Sequence, residues 1–355
     1  MSLPAFAAAT AVTTVLAHGL MRLLGRRYGS SDRASRRLRR DLLVGSVLSL
    51  VGWLVAVVAA DGSVHPAVAN LLAGPEFART LLTAYGYALA GTAVVLGTYL
   101  GYLPAIRRTR EVELGTGTAA VRVARWLVVA ALFAATAAAA AFSVSLTPLT
   151  AAVGVALVAA GAYLAAPWLI ALTQSVREPT DEERARIDSL LDRADADGYR
   201  LRVLDRREEE NASAFVRGPP GYRHLFVTDY LLDALDDDDA AAMLAVTTAN
   251  ARHTAYRLGL VAVGGGLLLA TLSAGRPLVG VGLLVAVPTV GYPVGRRLVF
   301  HADDRAADAV GAGRVADALD TVAQLHDASL DAGLLARVLS LRPSVGQRID
   351  RLRAD

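Results

Sequence analysis

The chain has no cysteine, which removes disulfides, thiolate nucleophiles and cysteine-based zinc sites at once. Lysine is missing as well, because all 36 basic residues are arginine. Charge is scarce at 19% of residues, and aromatic side chains make up only 6%. Against these shortages stand a hydrophobic content of 54% and a mean hydropathy of +0.42, too apolar for an ordinary soluble protein of 355 residues. The composition points to a membrane protein.

A bilayer core takes about 20 mostly apolar residues per helix. Five stretches qualify before residue 175, at 3–21, 42–60, 80–105, 126–143 and 149–173, and two more follow at 258–273 and 277–294. The last pair is joined by the short turn "SAGR", and Pro288 and Pro293 are expected to kink the seventh span. No arginine precedes the first span and no small-residue cleavage site follows a short apolar core, so it reads as an anchor rather than a removed signal peptide.

Arginine counts in short loops set the expected orientation. The loop "MRLLGRRYGSSDRASRRLRR" carries eight arginines and "RRTREVELGTGTAAVRVAR" carries five, whereas the alternate loops 61–79, 144–148 and 274–276 hold at most one each. The protein is therefore expected in the cell membrane with its N-terminus outside, and with 22–41, 107–125, 175–257 and 295–355 in the cytoplasm. The eight-arginine loop is read as a topology determinant ahead of a lipid headgroup patch.

The segment after the fifth span is acidic, with 18 acids and 11 arginines between Ser175 and Tyr256. Its net of −7 argues against a nucleic-acid partner. "REPTDEERARIDSLLDRADADG" predicts a surface helix ended by Gly198, with Ile187, Leu190, Leu191 and Ala194 on one face. "YRLRVLD" and "YRHLFVTDYLL" predict two strands, with "RREEENASAFVRGPPG" as a charged loop between them. A short helix and a longer one follow, the latter opened by the four aspartates 236–239, which suit an N-terminal cap and lack the alternating spacing and glycine of a calcium loop.

This order of elements resembles the HtpX-like and CAAX-prenyl-endopeptidase type of membrane zinc metallopeptidase. The likeness is carried by the strand, the loop with "AFVRG", the strand "HLFVTDYLLDAL", the acidic turn and the helix "AAAMLAVTTANARH". Downstream, "RRLVFHADDRAADAVG" at 296–311 resembles the helix that bears the family's E-x-x-A-D motif, and "LRPSVGQRIDRL" at 341–352 resembles its closing segment. The likeness covers about half of the chain. It implies a mainly α, polytopic membrane protein with about seven transmembrane helices and a cytoplasmic α+β metallopeptidase-like lobe. The expected domains are a five-span region at 1–174 and a lobe at 175–355, interrupted by the membrane hairpin at 258–294.

The same resemblance implies a zinc site that this sequence does not supply. Positions of the family's H-E-x-x-H motif fall on Val246, Thr247, Thr248, Ala249 and Asn250, and its third ligand falls on Val299. A catalytic zinc takes three protein ligands and a water, with the motif's glutamate as general base. Valine cannot ligate, Asn250 offers only an amide oxygen, and Thr247 is no base near neutral pH. Around these positions Asp303 matches the motif's aspartate, Arg296 an arginine one turn ahead of the third ligand, and His253 a further histidine after the motif. Ser213 stands where the family loop has asparagine, and Arg342 where the closing segment has histidine.

A relocated metal site would draw on His253, His301 and Asp303, but His301 lies about 200° around the helix from Val299 and should face away. Ser213, His253 and Asp303 form only an inventory for nucleophilic catalysis, without a nucleophile-elbow pattern. His18, His65, His224 and His326 sit in unrelated segments. The favoured expectation is a pseudopeptidase without zinc or other cofactor, binding membrane lipid and a peptide or membrane-protein client. The alternative is an active membrane metalloendopeptidase with a non-standard metal site. A transporter is opposed by the near absence of ionisable residues within the spans.

Overall fold

Long apolar runs dictate the first half of the fold. In the computed structural model, which describes residues 3–28, 32–59, 75–110, 115–143, 147–207, 211–326 and 342–354, seven helices are long and apolar enough to cross a membrane. They match the seven expected spans and make the chain a multi-pass membrane protein. Loop segments 61–74 and 144–146, which entered the arginine comparison, lie outside the described residues. The chain divides into two compact units, Met1–Ser145 with Leu172–Gln174, and Leu146–Ala171 with Ser175–Asp355.

The first unit holds α1 (Leu3–Gly25), α2 (Asp32–Ala59), α3 (Glu76–Arg110) and α4 (Thr116–Ser143). Helix α3 packs against the other three. Its crossing with α1 depends on small residues, as close helix contacts in membranes do. A Cβ at Gly101 would lie 2.5 Å from the carbonyl oxygen of His18, and one at Gly97 would lie 2.7 Å from Thr14 Cγ2. Phe6, Trp53 and Tyr87 join three helices edge to face, and Trp53 Nε1 donates to Thr10 Oγ1 at 2.9 Å.

The second unit begins with α5 (Pro148–Thr173), which the sequence reading groups with the first four spans. Here it packs with its own unit: a Cβ at Gly266 would meet the Cα of Ala152 at 3.3 Å, and Trp168 contacts Tyr222 with ring centroids 5.6 Å apart. A two-residue strand β1 (Val176–Arg177) leads to α6 (Asp181–Arg193). Thr180 and Glu183 close a reciprocal capping box at the start of α6, and Arg177 clamps Glu183 with two bonds of 2.6 Å. The helix stops at Ala194, a turn before Gly198, whose φ of +76° serves the link to the sheet.

Strands β2 (Arg200–Leu204), β3 (Ala214–Arg217) and β4 (His224–Thr228) complete a four-stranded sheet of order β1-β2-β4-β3. β2 and β4 are the two expected strands and run parallel, while β1 and β3 flank them antiparallel. β3 forms inside the segment expected to be loop. Its four residues are too few for a sequence pattern, and the antiparallel edge of β4 supplies the hydrogen bonds that fix it. The turn from β3 to β4 needs Gly218 at φ +100°, where a Cβ would sit 2.3 Å from the Tyr222 carbonyl oxygen.

After α7 (Asp229–Ala234), helix α8 (Asp237–Ala251) starts where Asp236 accepts from the Asp239 backbone N–H at 2.9 Å, as the aspartate run predicts. Alanines at 240, 241, 242, 245, 249 and 251 are all buried, so α8 is covered on nearly every side. It packs on β3, α6, α10 and α11. The membrane hairpin is α9 (Thr254–Ser273) and α10 (Pro277–Val310). The helix expected at 296–311 is the continuation of α10, a single 34-residue helix that runs through Pro288 and Pro293 for about 50 Å. α11 (Ala312–Leu325) and α12 (Val345–Ala354) close the unit by packing on α10 and on each other.

Candidate functional site

The positions where the sequence resemblance would put a metal site fall on two packed helices: Val246, Thr247 and Asn250 on α8, and Val299 on α10. Val246 is 6% exposed and Val299 3% exposed. Val246 belongs to an apolar cluster with Ala242, Ala245, Ala306, Val315, Leu319 and Ile349, drawn from α8, α10, α11 and α12. Thr247 donates its hydroxyl to the Ala214 carbonyl at 3.4 Å, which ties α8 to β3. Asn250 is engaged at both ends of its amide: Nδ2 donates to the Val246 carbonyl at 3.0 Å, and Oδ1 accepts from Arg257 Nη2 at 2.8 Å. With no imidazole or carboxylate at any of the four, these side chains do not fit a zinc ion.

The other candidate residues take separate parts. Asp303 is 1% exposed and accepts two hydrogen bonds from Arg348 of α12, at 2.8 Å from Nε and 2.5 Å from Nη2. Such a fork is the strong geometry for arginine with a carboxylate, and here it pins α12 onto α10. Arg351 repeats the device on Asp304, at 2.7 and 3.0 Å. Asp303 is thus committed to a structural partner. Arg296 lies half-buried two turns earlier on α10. His301 is exposed while Val299, Ala302 and Asp303 are buried, which is the facing expected from helical geometry.

His253, in the turn between α8 and α9, comes to 6.3 Å from His301 between ring centroids. Burial holds the His253 imidazole below its ordinary pKa, and the nearby charges of Arg257, His301 and Arg252 push in the same direction. Among the described residues no group of three or more His, Asp or Glu is placed to share a metal ion. Nor does a hydrogen bond join Ser213, His253 and Asp303. The backbone of Ser213 instead exchanges bonds with Thr228, its N–H donating to Thr228 Oγ1 at 3.0 Å.

Sequence reasoning overlooked the basic side chains around these positions. Arg217 ends β3, with its guanidinium 5.0 Å above the Phe215 ring. Burial lowers the pKa of Arg217, and the charge of Arg342 adds to the effect. Arg257 stands on the first turn of α9, Arg342 just before α12, and Arg348 on α12. Arg342 and Arg348 share the segment 341–352, and nothing local to any of the four marks it as part of a site. A separate cleft of about 510 Å³ opens on a different face of α8, lined by Asp195, Asp197, Arg223, Thr248, Arg252 and Arg305 among others.

The architecture is that of a multi-pass helical membrane protein whose second unit combines a membrane hairpin with a four-stranded sheet. Its fold is similar to that of S. mikatae Ste24p, known from a crystal structure, with a TM-score of 0.58 and 13% sequence identity over 99% of this chain and 98% of that one. No family model matches the sequence, and no curated protein matches it.

Proposed function

We propose that this protein is a membrane-embedded relative of the zinc metallopeptidases that has lost zinc and proteolytic activity, and that it acts by binding. Ste24p is a CAAX prenyl endopeptidase, and its fold agrees with the peptidase resemblance carried by the order of segments in this sequence. What supports the reading is a Ste24p-like fold taken together with the sequence resemblance, which sets Val246, Thr247, Asn250 and Val299 at the family's ligand and base positions. Two buried valines there add apolar packing, which costs less than buried carboxylates left without a metal or partner. Membrane lipid and a peptide or membrane-protein client are the proposed partners. The lobe and C-terminus are proposed to face the cytoplasm, with the N-terminus outside.

The competing reading is an active metalloendopeptidase with a non-standard metal set, and the approach of His253 to His301 is the observation in its favour. Metal analysis of detergent-purified protein, grown with zinc and never exposed to chelator, separates the two. We expect far less than one zinc per chain. Near-stoichiometric zinc that is lost in His253→Ala would overturn the zinc-loss reading and favour a non-standard metal site instead. A constructive test combines Val246→His, Thr247→Glu, Asn250→His and Val299→Glu, which should create zinc binding if these positions correspond to the family's site. A folded quadruple variant that takes up no zinc would show that correspondence to be wrong.

A further inference from the structure

The cleft on the other face of α8 carries charge that the fold does not use. All of its lining belongs to the second unit: the link from α6 to β2 at 194–199, the turn from β3 to β4 at 220–223, the C-terminal half of α8, and α10 at Arg305, Ala306 and Ala309. Arg223 is half-buried, while Arg252, Arg305, Asp195 and Asp197 are exposed. Among the described residues, none of these five side chains makes a hydrogen bond or an ion pair. Other arginines of the unit differ, since Arg186, Arg193 and Arg207 each hold an aspartate. Opposite charges that share a cleft of about 510 Å³ without closing on one another keep their donors and acceptors available to a ligand. Alanine and glycine make up most of the remaining lining, which leaves the space between them open.

The cleft also lies against the membrane. Arg252 precedes α9, a membrane-crossing helix that begins at Thr254, and Arg223 follows Tyr222, whose ring packs on Trp168 of the membrane helix α5 at 5.6 Å between centroids. Arg305 lies farther out, about 16 Å along α10 from Val294, where the apolar stretch ends. The polar layer of a bilayer is only about 5–8 Å deep on each side. A ligand that reaches from Arg223 and Arg252 to Arg305 therefore carries polar groups beyond its phosphate. The geometry points to a binding site for a phospholipid whose phosphodiester bears a polyol headgroup, with the phosphate on Arg223 and Arg252 and the polyol hydroxyls on Asp195, Asp197 and Arg305. Guanidinium forks suit phosphate oxygens, and ionised carboxylates only accept, so they require the hydroxyl donors that a polyol brings. Three arginines against two aspartates leave one positive charge, which a single phosphodiester neutralises. The inference names the lipid of the binding role proposed above and rests on that role.

The test uses full-length protein in nanodiscs that mix phosphatidylcholine with either phosphatidylglycerol or phosphatidic acid, and native mass spectrometry identifies the lipids retained. Wild type should keep phosphatidylglycerol at least tenfold over phosphatidylcholine, and should prefer it to phosphatidic acid, whose phosphate bears no polyol. Arg223→Gln with Arg252→Gln should remove the retention, whereas Arg314→Gln, an exposed arginine on α11 that pairs with Asp238 at 3.9 Å, should behave like wild type. Asp195→Asn with Asp197→Asn should narrow the preference over phosphatidic acid, because the two carboxylates repel its second charge. If the double arginine variant does not fold, Arg305→Gln alone carries the comparison, with an expected loss of threefold or more.

Equal retention of phosphatidic acid and phosphatidylglycerol by wild type overturns the polyol contact. Retention that the arginine variants leave unchanged, or no retention at all, overturns the site. Free glycerol phosphate that binds by calorimetry while no lipid is retained would assign a soluble ligand and overturn the lipid. Zinc measured on the same samples keeps the two proposals apart. Near-stoichiometric zinc with retained phosphatidylglycerol would refute the zinc-loss reading alone, and zinc-free protein that shows no lipid preference would refute this inference alone.

Discussion

At the scale of single residues, the pair of Asp303 and Arg348 is the most exacting contact in the second unit. Its aspartate is 1% exposed, and its arginine bridges two elements 45 positions apart in the chain. Arg348→Met leaves a buried carboxylate without its partner, and we expect a loss of about 3–5 kcal/mol, read as an earlier unfolding midpoint in detergent. Replacing both residues by apolar ones of similar size should recover part of that loss. Glu183 makes a second residue-scale prediction. The Arg177 guanidinium holds its carboxyl at about 2 against an ordinary 4.5, so its contribution is complete above about pH 4.5 and is lost as pH falls toward 2. Glu183→Gln should flatten the acid limb of the unfolding curve over that window, while costing about 1–2 kcal/mol at neutral pH through the capping box.

At the scale of elements, the crossing of α1 and α3 sets the tolerance of the first unit. Gly101→Ala would bring a methyl to 2.5 Å from a backbone oxygen, which no side-chain rotation relieves. We expect the helices to part, with a loss of about 1–3 kcal/mol measured by heat denaturation of the detergent-solubilised chain. Gly19→Ala on α1, which faces open space, should be neutral or slightly stabilising. Elements also differ in how far the sequence discloses them. The seven spans, α6, β2, β4 and the capped start of α8 follow from hydropathy, periodicity and capping residues. β1 and β3 do not, because strands of two and four residues exist only by pairing with a neighbour. The continuity of α10 was equally hidden: the sequence reading treats the span at 277–294 and the helix at 296–311 as two segments, yet the backbone passes through both as one helix.

At the scale of the whole molecule, the missing cysteines make the orientation directly measurable. In cells, Ala274→Cys, on the exposed turn between α9 and α10, should react with a membrane-impermeant maleimide added from outside. Asp192→Cys, exposed on α6, should react only after permeabilisation. The reverse pattern would invert the proposed topology. Either result leaves the Ste24p-like fold untouched, since the fold fixes which elements pack together and not which side of the bilayer they occupy.

The sequence by itself determined the membrane class, the number of spans and the absence of histidine and carboxylate at Val246, Thr247, Asn250 and Val299. Those properties are local: hydropathy is summed along the chain, and a valine cannot ligate wherever the fold puts it. Tertiary structure decided the rest. It committed Asp303 to Arg348, brought His253 toward His301 and engaged both ends of the Asn250 amide. No pattern within a window of residues encodes the contact of Asp303 with Arg348 or the approach of His253 to His301, because both arise when helices distant in sequence pack to bury their apolar faces.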